Sequence, residues 1–304
     1  MAISRLGSLH DVLSQTCDVI CSLYGISREE AFARVECFIE ENSRRWRLPE
    51  PAIDYHDPFC RMAYLYMNVA VHAALFEDAL CKHAAAGAVV GTLAASGEEL
   101  RVCALGGGPG SELLGLVRFI ETMHLGGRPA CLDFLLIDRV PEWDESWHAL
   151  KQGIDRQLRT SYGQDRATWP VSISRSFLPL DVTAPPDFRN FATRFNGVHL
   201  FILCYLASEV KGRMADLRNV LAMLVNRAPS GALILVIDRD EREVRDGVQT
   251  VLAGLPGVEH SALVKQRGVL EDDLAELGEW YMNIEALPRS RWLAFSSLAQ
   301  KRPG

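Results

Sequence analysis

Apolar positions change their spacing partway along this chain, and residue 98 or so is where the change falls. Before it the repeat is helical. Ser27 and Glu30 stand at the spacing of a capping box, and Ala31, Val35, Phe38 and Ile39 then recur at helical intervals. Pro49 and Pro51 predict that this helix ends near Arg47. Asp57 as a cap and Pro58 in the first helical position predict a second, largely buried helix whose apolar residues run from Phe59 through Leu80.

From Leu100 onward short apolar runs alternate with amphipathic stretches. Leu100 to Leu105, Leu132 to Ile137, Phe177 to Val182, Val198 to Leu206 and Ala232 to Ile237 read as strands. Leu113 to Met123 and Met214 to Val225 have helical spacing, and Trp143, Trp147, Leu150 and Ile154 share one helix face. Such alternation predicts a doubly wound α/β fold, with a parallel sheet covered on both faces, seven strands in all once its edge is counted, and a helical N-terminal cap over residues 1–98. Residues 99–304 are expected to form the sheet domain. The tail, with Ser261 to Lys265, Trp280 to Ile284 and Trp292 to Leu298, reads as two or three further strands forming an antiparallel edge.

Composition narrows the class. At 304 residues, 48% apolar and 23% charged, the chain is a globular protein, and neither disordered nor a disulfide scaffold. The net charge of −7 gives no global field to attract a polyanion. Arg44-Arg45-Trp46-Arg47, the compact basic cluster with an aromatic, reads as a solvated helix end or an RNA contact. The cysteines are scattered through apolar stretches, and Cys17 and Cys21 lack partner ligands, so no metal is expected. No apolar run reaches spanning length, and a start carrying Arg5 and Asp11 does not read as a signal peptide. The expected setting is cytoplasmic or nuclear, with no membrane partner.

The most informative segment is Leu105-Gly106-Gly107-Gly108-Pro109-Gly110-Ser111-Glu112, directly after a strand-like run and directly before a helix. Glycine is needed where a chain turns sharply out of a strand or where a ligand lies against the backbone. A P-loop requires lysine where Ser111 stands, and a dinucleotide fingerprint requires glycine or alanine at Ser111 or Leu113, depending on register. Glu112 would moreover repel a pyrophosphate. The remaining pattern, glycine at 106, 108 and 110, resembles motif I of the class I methyltransferases that use S-adenosylmethionine.

That resemblance implies a Rossmann-like sheet with S-adenosylmethionine as cofactor, held by Gly106, Gly108 and Gly110. It also implies that Asp138, in Leu136-Ile137-Asp138-Arg139, accepts hydrogen bonds from the ribose hydroxyls; the bland alternative is a helix cap. The long gap before Asp138 is attributed to a loop at Gly126-Gly127-Arg128-Pro129. Asp181 is similar to the acid that faces the adenine amino group, or is an Asx-turn residue. Cys204 closes the strand that ends beside the transferable methyl, or is plain core. Tyr64, with Arg61 and Tyr66 on the preceding helix, would meet the methionine part or an aromatic acceptor. The layout of Tyr64 and Tyr66, Trp143 and Trp147, and Ser208-Glu209 also looks somewhat like methyltransferases grouped with the fungal ribosomal-RNA uridine-N3 enzymes, although both tryptophans also fit a simple core face.

Acceptor marks are missing. Cys204-Tyr205-Leu206-Ala207 is not the Asn/Asp-Pro-Pro-Tyr/Phe grip of an exocyclic-amine methylase, Cys204 has no preceding proline, and no acidic metal cluster is legible. The acceptor is left as a small molecule, a protein or an RNA. Methyl transfer needs positioning before it needs a base. If a base is used, Tyr205, Glu209 and His199 are the candidates, each with an ordinary structural reading as well. The other functional class consistent with these residues is a non-catalytic sensor of the same cofactor.

Overall fold

The computed structural model describes residues 3–45, 53–123 and 129–303. Four helices come first: α1 (Arg5–Tyr24), α2 (Arg28–Arg45), α3 (Pro58–Lys82) and α4 (Ala84–Ser96). Then follow β1 (Glu99–Leu105), α5 (Ser111–Met123), β2 (Ala130–Asp138), α6 (Trp143–Tyr162), β3 (Val171–Pro179), α7 (Pro185–Asn190), β4 (Leu200–Cys204) and α8 (Leu206–Glu209). The remainder is α9 (Met214–Arg227), β5 (Leu233–Arg239), α10 (Arg242–Ala253), β6 (Val258–His260), β7 (Val264–Val269), α11 (Glu279–Asn283) and β8 (Arg291–Lys301). The helix end expected near Arg47, Trp46 and Arg47 of the basic cluster, and residues 126–128 of the expected loop lie outside the described residues.

The sheet is doubly wound and Rossmann-like. Its order is β3-β2-β1-β4-β5-β8-β6, with β7 also paired to β8. β1 to β5 are parallel, and β8 runs antiparallel to β5, β6 and β7. β4 and β5 are buried along nearly their whole length, which explains their unbroken apolar sequences. Successive side chains on a strand point to opposite faces, and the core divides accordingly. Val102, Phe134, Ile202 and Leu235 pack into a cluster with α1 to α6, while Cys103, Leu135, Leu203 and Val236 pack with α7, α9 and α10.

The antiparallel edge expected of the tail is present, and one expectation there is corrected. β6, β7 and β8 form the edge and bring the sheet to eight strands, seven on one path with β7 also paired to β8. Where a strand is expected over Trp280 to Ile284 there is the helix α11: Trp280 is buried edge-on to Phe32 and Ile284 is buried just past the helix end, while Tyr281 and Met282 face out. The apolar residues there anchor a short turn of helix under α2.

The N-terminal helices share one apolar cluster with the sheet. Asp57 caps α3 by accepting from the Phe59 and Cys60 N–H groups, with Pro58 in the first turn. α3 then crosses the carboxyl ends of the strands. Its Tyr64 meets Trp143 beyond β2, its His72 stacks on Tyr205 beyond β4, and His83 at its end pairs with Ser296 of β8. α4 turns away by 97° toward β1. Among the described residues no single helix is long and apolar enough to cross a membrane; α3 and α4 meet that criterion only as this bent pair.

The crossing depends on Gly115 of α5. A Cβ there would lie 2.4 Å from the Ala73 carbonyl oxygen of α3, a backbone atom that cannot step aside. An exposed helical Gly→Ala gains roughly 0.5–1 kcal/mol, but here the clash decides the sign. Gly115→Ala should therefore destabilise the protein by about 1–3 kcal/mol in a urea unfolding titration.

Candidate functional site

The glycine loop leaves β1 at Leu105 and is tied at once to β2. The Gly106 and Gly107 N–H groups both donate to the Ile137 carbonyl, at 2.8 and 3.2 Å. Gly106, Gly108 and Gly110 have φ of 63°, 49° and 81°, a region other residues enter only at a cost of roughly 1–2 kcal/mol. The three nevertheless differ in what requires them. A Cβ on Gly106 would sit 2.6 Å from Leu206, and one on Gly110 2.4 Å from the Trp147 ring. The protein's own packing fixes these two. Beside Gly108 the nearest atom is Trp143 at 3.7 Å, an ordinary contact, so of the three only this glycine is not required by the protein's own packing.

Asp138 stands at the end of β2, next to that face. Its Oδ2 accepts from the Gly108 N–H and its Oδ1 from the Val140 N–H, both at 3.0 Å. Burial raises its pKa, and these same backbone bonds oppose the rise. The Arg139 N–H also bonds the carboxyl, which still has lone-pair capacity to accept from a ligand. Asp181 is differently engaged: Oδ1 accepts from the Thr183 N–H and hydroxyl, and Oδ2 faces Arg213 at 3.4 Å, which is the Asx-turn arrangement. Cys204 is buried at the end of β4 with its thiol against the Glu112 carboxyl, and burial pushes its pKa up.

Aromatic rings cluster above the loop, with Trp143 against Gly108. Tyr55, Tyr64 and Trp143 are mutually in contact, with centroids 5.3 to 5.6 Å apart. The Tyr64 hydroxyl stands 3.5 Å from His72 Nδ1, and the His72 ring stacks on Tyr205 at 4.6 Å. Burial, with Arg289 and Arg239 nearby, lowers His72 to about 3, so it is a neutral ring. Tyr205 is the one non-glycine residue with positive φ among those described, at 57°. A strained residue at a strand's carboxyl end is a common mark of a working site. Arg61 donates to the Tyr55 and His56 carbonyls at 2.9 Å, and His56 bridges to Glu142, so the segment carrying Tyr55 is fastened to the start of α6.

Carboxyls surround these rings. Glu112, in the first turn of α5, is 4% exposed; burial raises it to about 7, and its Oε2 has no hydrogen-bond partner. Glu209, on α8, reaches solvent but is set among protein with Asp138 and Asp238 nearby, and is also raised to about 7, with water screening part of the effect. Asp238 accepts from the Ser208 N–H at 3.0 Å and positions α8. Among the described residues no group of three or more His, Cys, Asp or Glu could hold a metal ion.

Not every expected residue arrives here. His199 precedes β4 at the sheet's amino edge, where its Nδ1 accepts from the Arg101 N–H, so it lies at the wrong end of the strand for a base. Tyr66 donates to the Ala286 carbonyl, away from the loop. Trp147 is core, packed on Phe134, whereas Trp143 belongs to the site. Tyr55, His72 and Glu112 were not among the expected contacts. Glu112 was already visible as an acid too close to a glycine loop for a phosphate, and His72 as a polar interruption in an apolar helix.

No protein-family model matches the chain, and no curated protein matches its sequence. Among solved structures it is similar to an S-adenosylmethionine-dependent methyltransferase from Methanosarcina mazei, with 10% identity, 68% of this chain and 94% of that one covered, and a TM-score of 0.41. It is similar to the plantazolicin methyltransferase in complex with S-adenosylhomocysteine at 11% identity, 90% and 98% coverage and a TM-score of 0.41. The N-methyltransferase NodS from Bradyrhizobium japonicum, also bound to S-adenosylhomocysteine, follows at 14% identity, 88% and 99% coverage and a TM-score of 0.37. Identity this low carries no residue role across.

Glu112 has a consequence for stability. Its pKa is raised on folding from 4.5 to about 7, so the folded state holds an extra proton between those values. Stability therefore falls as pH rises through that window, on the order of 3 kcal/mol for a group this buried. Urea unfolding at pH 5 and pH 8 should show Glu112→Gln losing markedly less stability over that interval than the wild type.

Proposed function

We propose that the chain is an S-adenosylmethionine-dependent methyltransferase whose cofactor lies across the loop at 106–110. The observation that carries this reading is the pairing of Gly108 with Asp138: a positive-φ loop glycine after β1 that the protein's own packing does not require, and a carboxylate at the end of β2 that accepts its N–H. They stand beside the switch point between β1 and β4, where open α/β sheets bind ligands.

The donor chemistry fits this cofactor and not a dinucleotide. Asp138 can accept from two vicinal hydroxyls. The unpartnered Glu112 oxygen and the rings of Tyr55, Tyr64 and Trp143 suit a ligand carrying positive charge, while nothing offers a phosphate a cation at the loop's helix. When bound, the cofactor supplies a methyl group activated by a positively charged sulfur. The chain's own part is to hold and enclose. Asp138 and Gly108 orient the nucleoside, Tyr64 and Trp143 exclude water, and Tyr205, held by His72, shapes the acceptor side. Where the acceptor atom carries a proton, Glu209 receives it on its carboxylate, which is partly ionised near neutral pH.

Calorimetric titration should show binding of S-adenosylmethionine and S-adenosylhomocysteine and none of NAD. Gly108→Asp, which places a second acid against Asp138, should abolish it, and Asp138→Ala should weaken it by about tenfold or more. Equal affinity in both variants would overturn the cofactor assignment. Incubation with labelled cofactor and metabolite, peptide and RNA pools then identifies the acceptor; tight binding with no labelled product on any pool would make the protein a sensor. With a proton-bearing acceptor, Glu209→Gln should lower kcat by about a hundredfold and remove the limb of the pH profile near 7.

A further inference from the structure

The charges around the site are sorted by side. Glu112 and Asp138 stand at the glycine loop, whereas His72, over the end of β4, has Arg289 and Arg239 as its charged neighbours among the described residues, and no acid. Tyr205, on which the His72 ring stacks, faces the same two arginines, with Asp238 opposing them. Arg239 and Arg139 also act on Glu209. In a chain of net charge −7, such a concentration of cations belongs to the place and not to the composition.

The backbones that carry the two arginines are fixed. Tyr66 donates to the Ala286 carbonyl at 3.0 Å and the Arg289 N–H donates to the Met67 carbonyl at 3.2 Å, which seats the segment before β8 on α3 in the stretch between Tyr64 and His72. Asp238, fully buried at the end of β5, accepts from the Arg239 N–H at 2.7 Å and from the Ser208 N–H at 3.0 Å. One carboxylate thus sets both the end of β5 and the helix that carries Glu209. Arg239 is half-buried and Arg289 exposed, and among the described residues Arg289 is in no ion pair. Like charges held near one another repel, and an oxyanion between them turns that repulsion into paired, charge-assisted hydrogen bonds. The planar guanidinium fork suits a carboxylate or a phosphate, whose two oxygens it meets at once.

We propose that Arg289 and Arg239, the two cations that act on both His72 and Tyr205, hold an oxyanion of the methyl acceptor, so that the acceptor is a carboxylate- or phosphate-bearing compound anchored beside Tyr205 with its reacting atom toward Glu209. This rests on the methyltransferase reading above and gives it a substrate class. The anchor supplies position: an acceptor fastened at its charged end has lost most of its rotational freedom before the methyl moves.

The test uses the full chain loaded with S-adenosylhomocysteine and four probes of similar size. Benzoate and phenyl phosphate carry the oxyanion; benzyl alcohol and benzylamine do not. In calorimetric titrations at least one oxyanion probe should bind about tenfold or more tightly than benzyl alcohol, and benzylamine should not bind. Arg289→Met should weaken that oxyanion probe by about tenfold, and Arg289→Lys by less, because lysine keeps the charge and loses the fork. Arg302→Met removes the same charge at the opposite edge of the sheet and should change nothing. S-adenosylhomocysteine should bind Arg289→Met as it binds the wild type. The preferred probe tells carboxylate from phosphate, and the labelled product of the pool experiment should be retained on an anion exchanger, with nuclease sensitivity separating an RNA phosphate from a small acid. Should a variant fail to fold, the wild-type ranking of the probes decides alone. Equal binding of all four probes, binding of neither oxyanion, or unchanged oxyanion affinity in Arg289→Met would overturn the proposal and leave the cofactor reading intact. Loss of S-adenosylhomocysteine affinity in Arg289→Met would overturn it too, by assigning the arginine to the cofactor's own carboxylate. A wild type that binds no S-adenosylhomocysteine would overturn both.

Discussion

The site depends on three backbone N–H groups that leave β1 and find their acceptors on β2. Gly106 and Gly107 donate to Ile137, and Gly108 donates to Asp138. Buried N–H groups must be paired, and a sharply turning loop cannot pair its own. Here the neighbouring strand's end supplies the acceptors, so the loop's shape and the acid's position are set by one set of bonds. Positive φ at Gly106 and Gly108 is what aims those N–H groups sideways. Everything above the loop, from Trp143 to α3, packs on a platform thus fixed.

The second determinant is the path of α3. A helix laid along a sheet face would leave the strands' carboxyl ends open; one laid across them brings residues eight apart, Tyr64 and His72, to β2 and β4 respectively. The result is an enclosure of aromatic walls with acids set into it. Low polarity makes each carboxyl costly to ionise, and the same low polarity strengthens its attraction for any cation that enters. The uncomfortable placement of Glu112 and the suitability of the site for a positive ligand thus have one physical origin.

Much of this was legible in the sequence, and the reasons are local. β1, β2, β4 and β5 are buried on both faces, so they stand out as apolar runs, and glycines after the first of them mark the loop. Asp138 was legible because parallel pairing of β1 with β2 places the ends of consecutive runs together. Edge strands were not. β3 begins at Val171, in a half-exposed stretch that the apolar run from Phe177 does not mark, and β6 is three residues long. The contacts of Tyr55 with Trp143 and of His72 with Tyr205 join distant parts of the chain through tertiary packing alone. Asp181 shows the converse: a short acid followed by Thr183 satisfies itself locally, whatever strand it follows.

β8 has an importance that its place in the sequence conceals. It inserts between β5 and both β6 and β7, and its Ser296 receives His83 from the end of α3. During synthesis, everything from α1 to β7 emerges before β8 exists. Until then β5 is an open apolar edge, β6 and β7 have no partner, and His83 lacks its Ser296 partner. Such edges invite pairing with other chains. β8 is therefore the step that commits the nascent polypeptide to its sheet, and a ribosome stalled shortly before it would display a nearly finished but adhesive sheet.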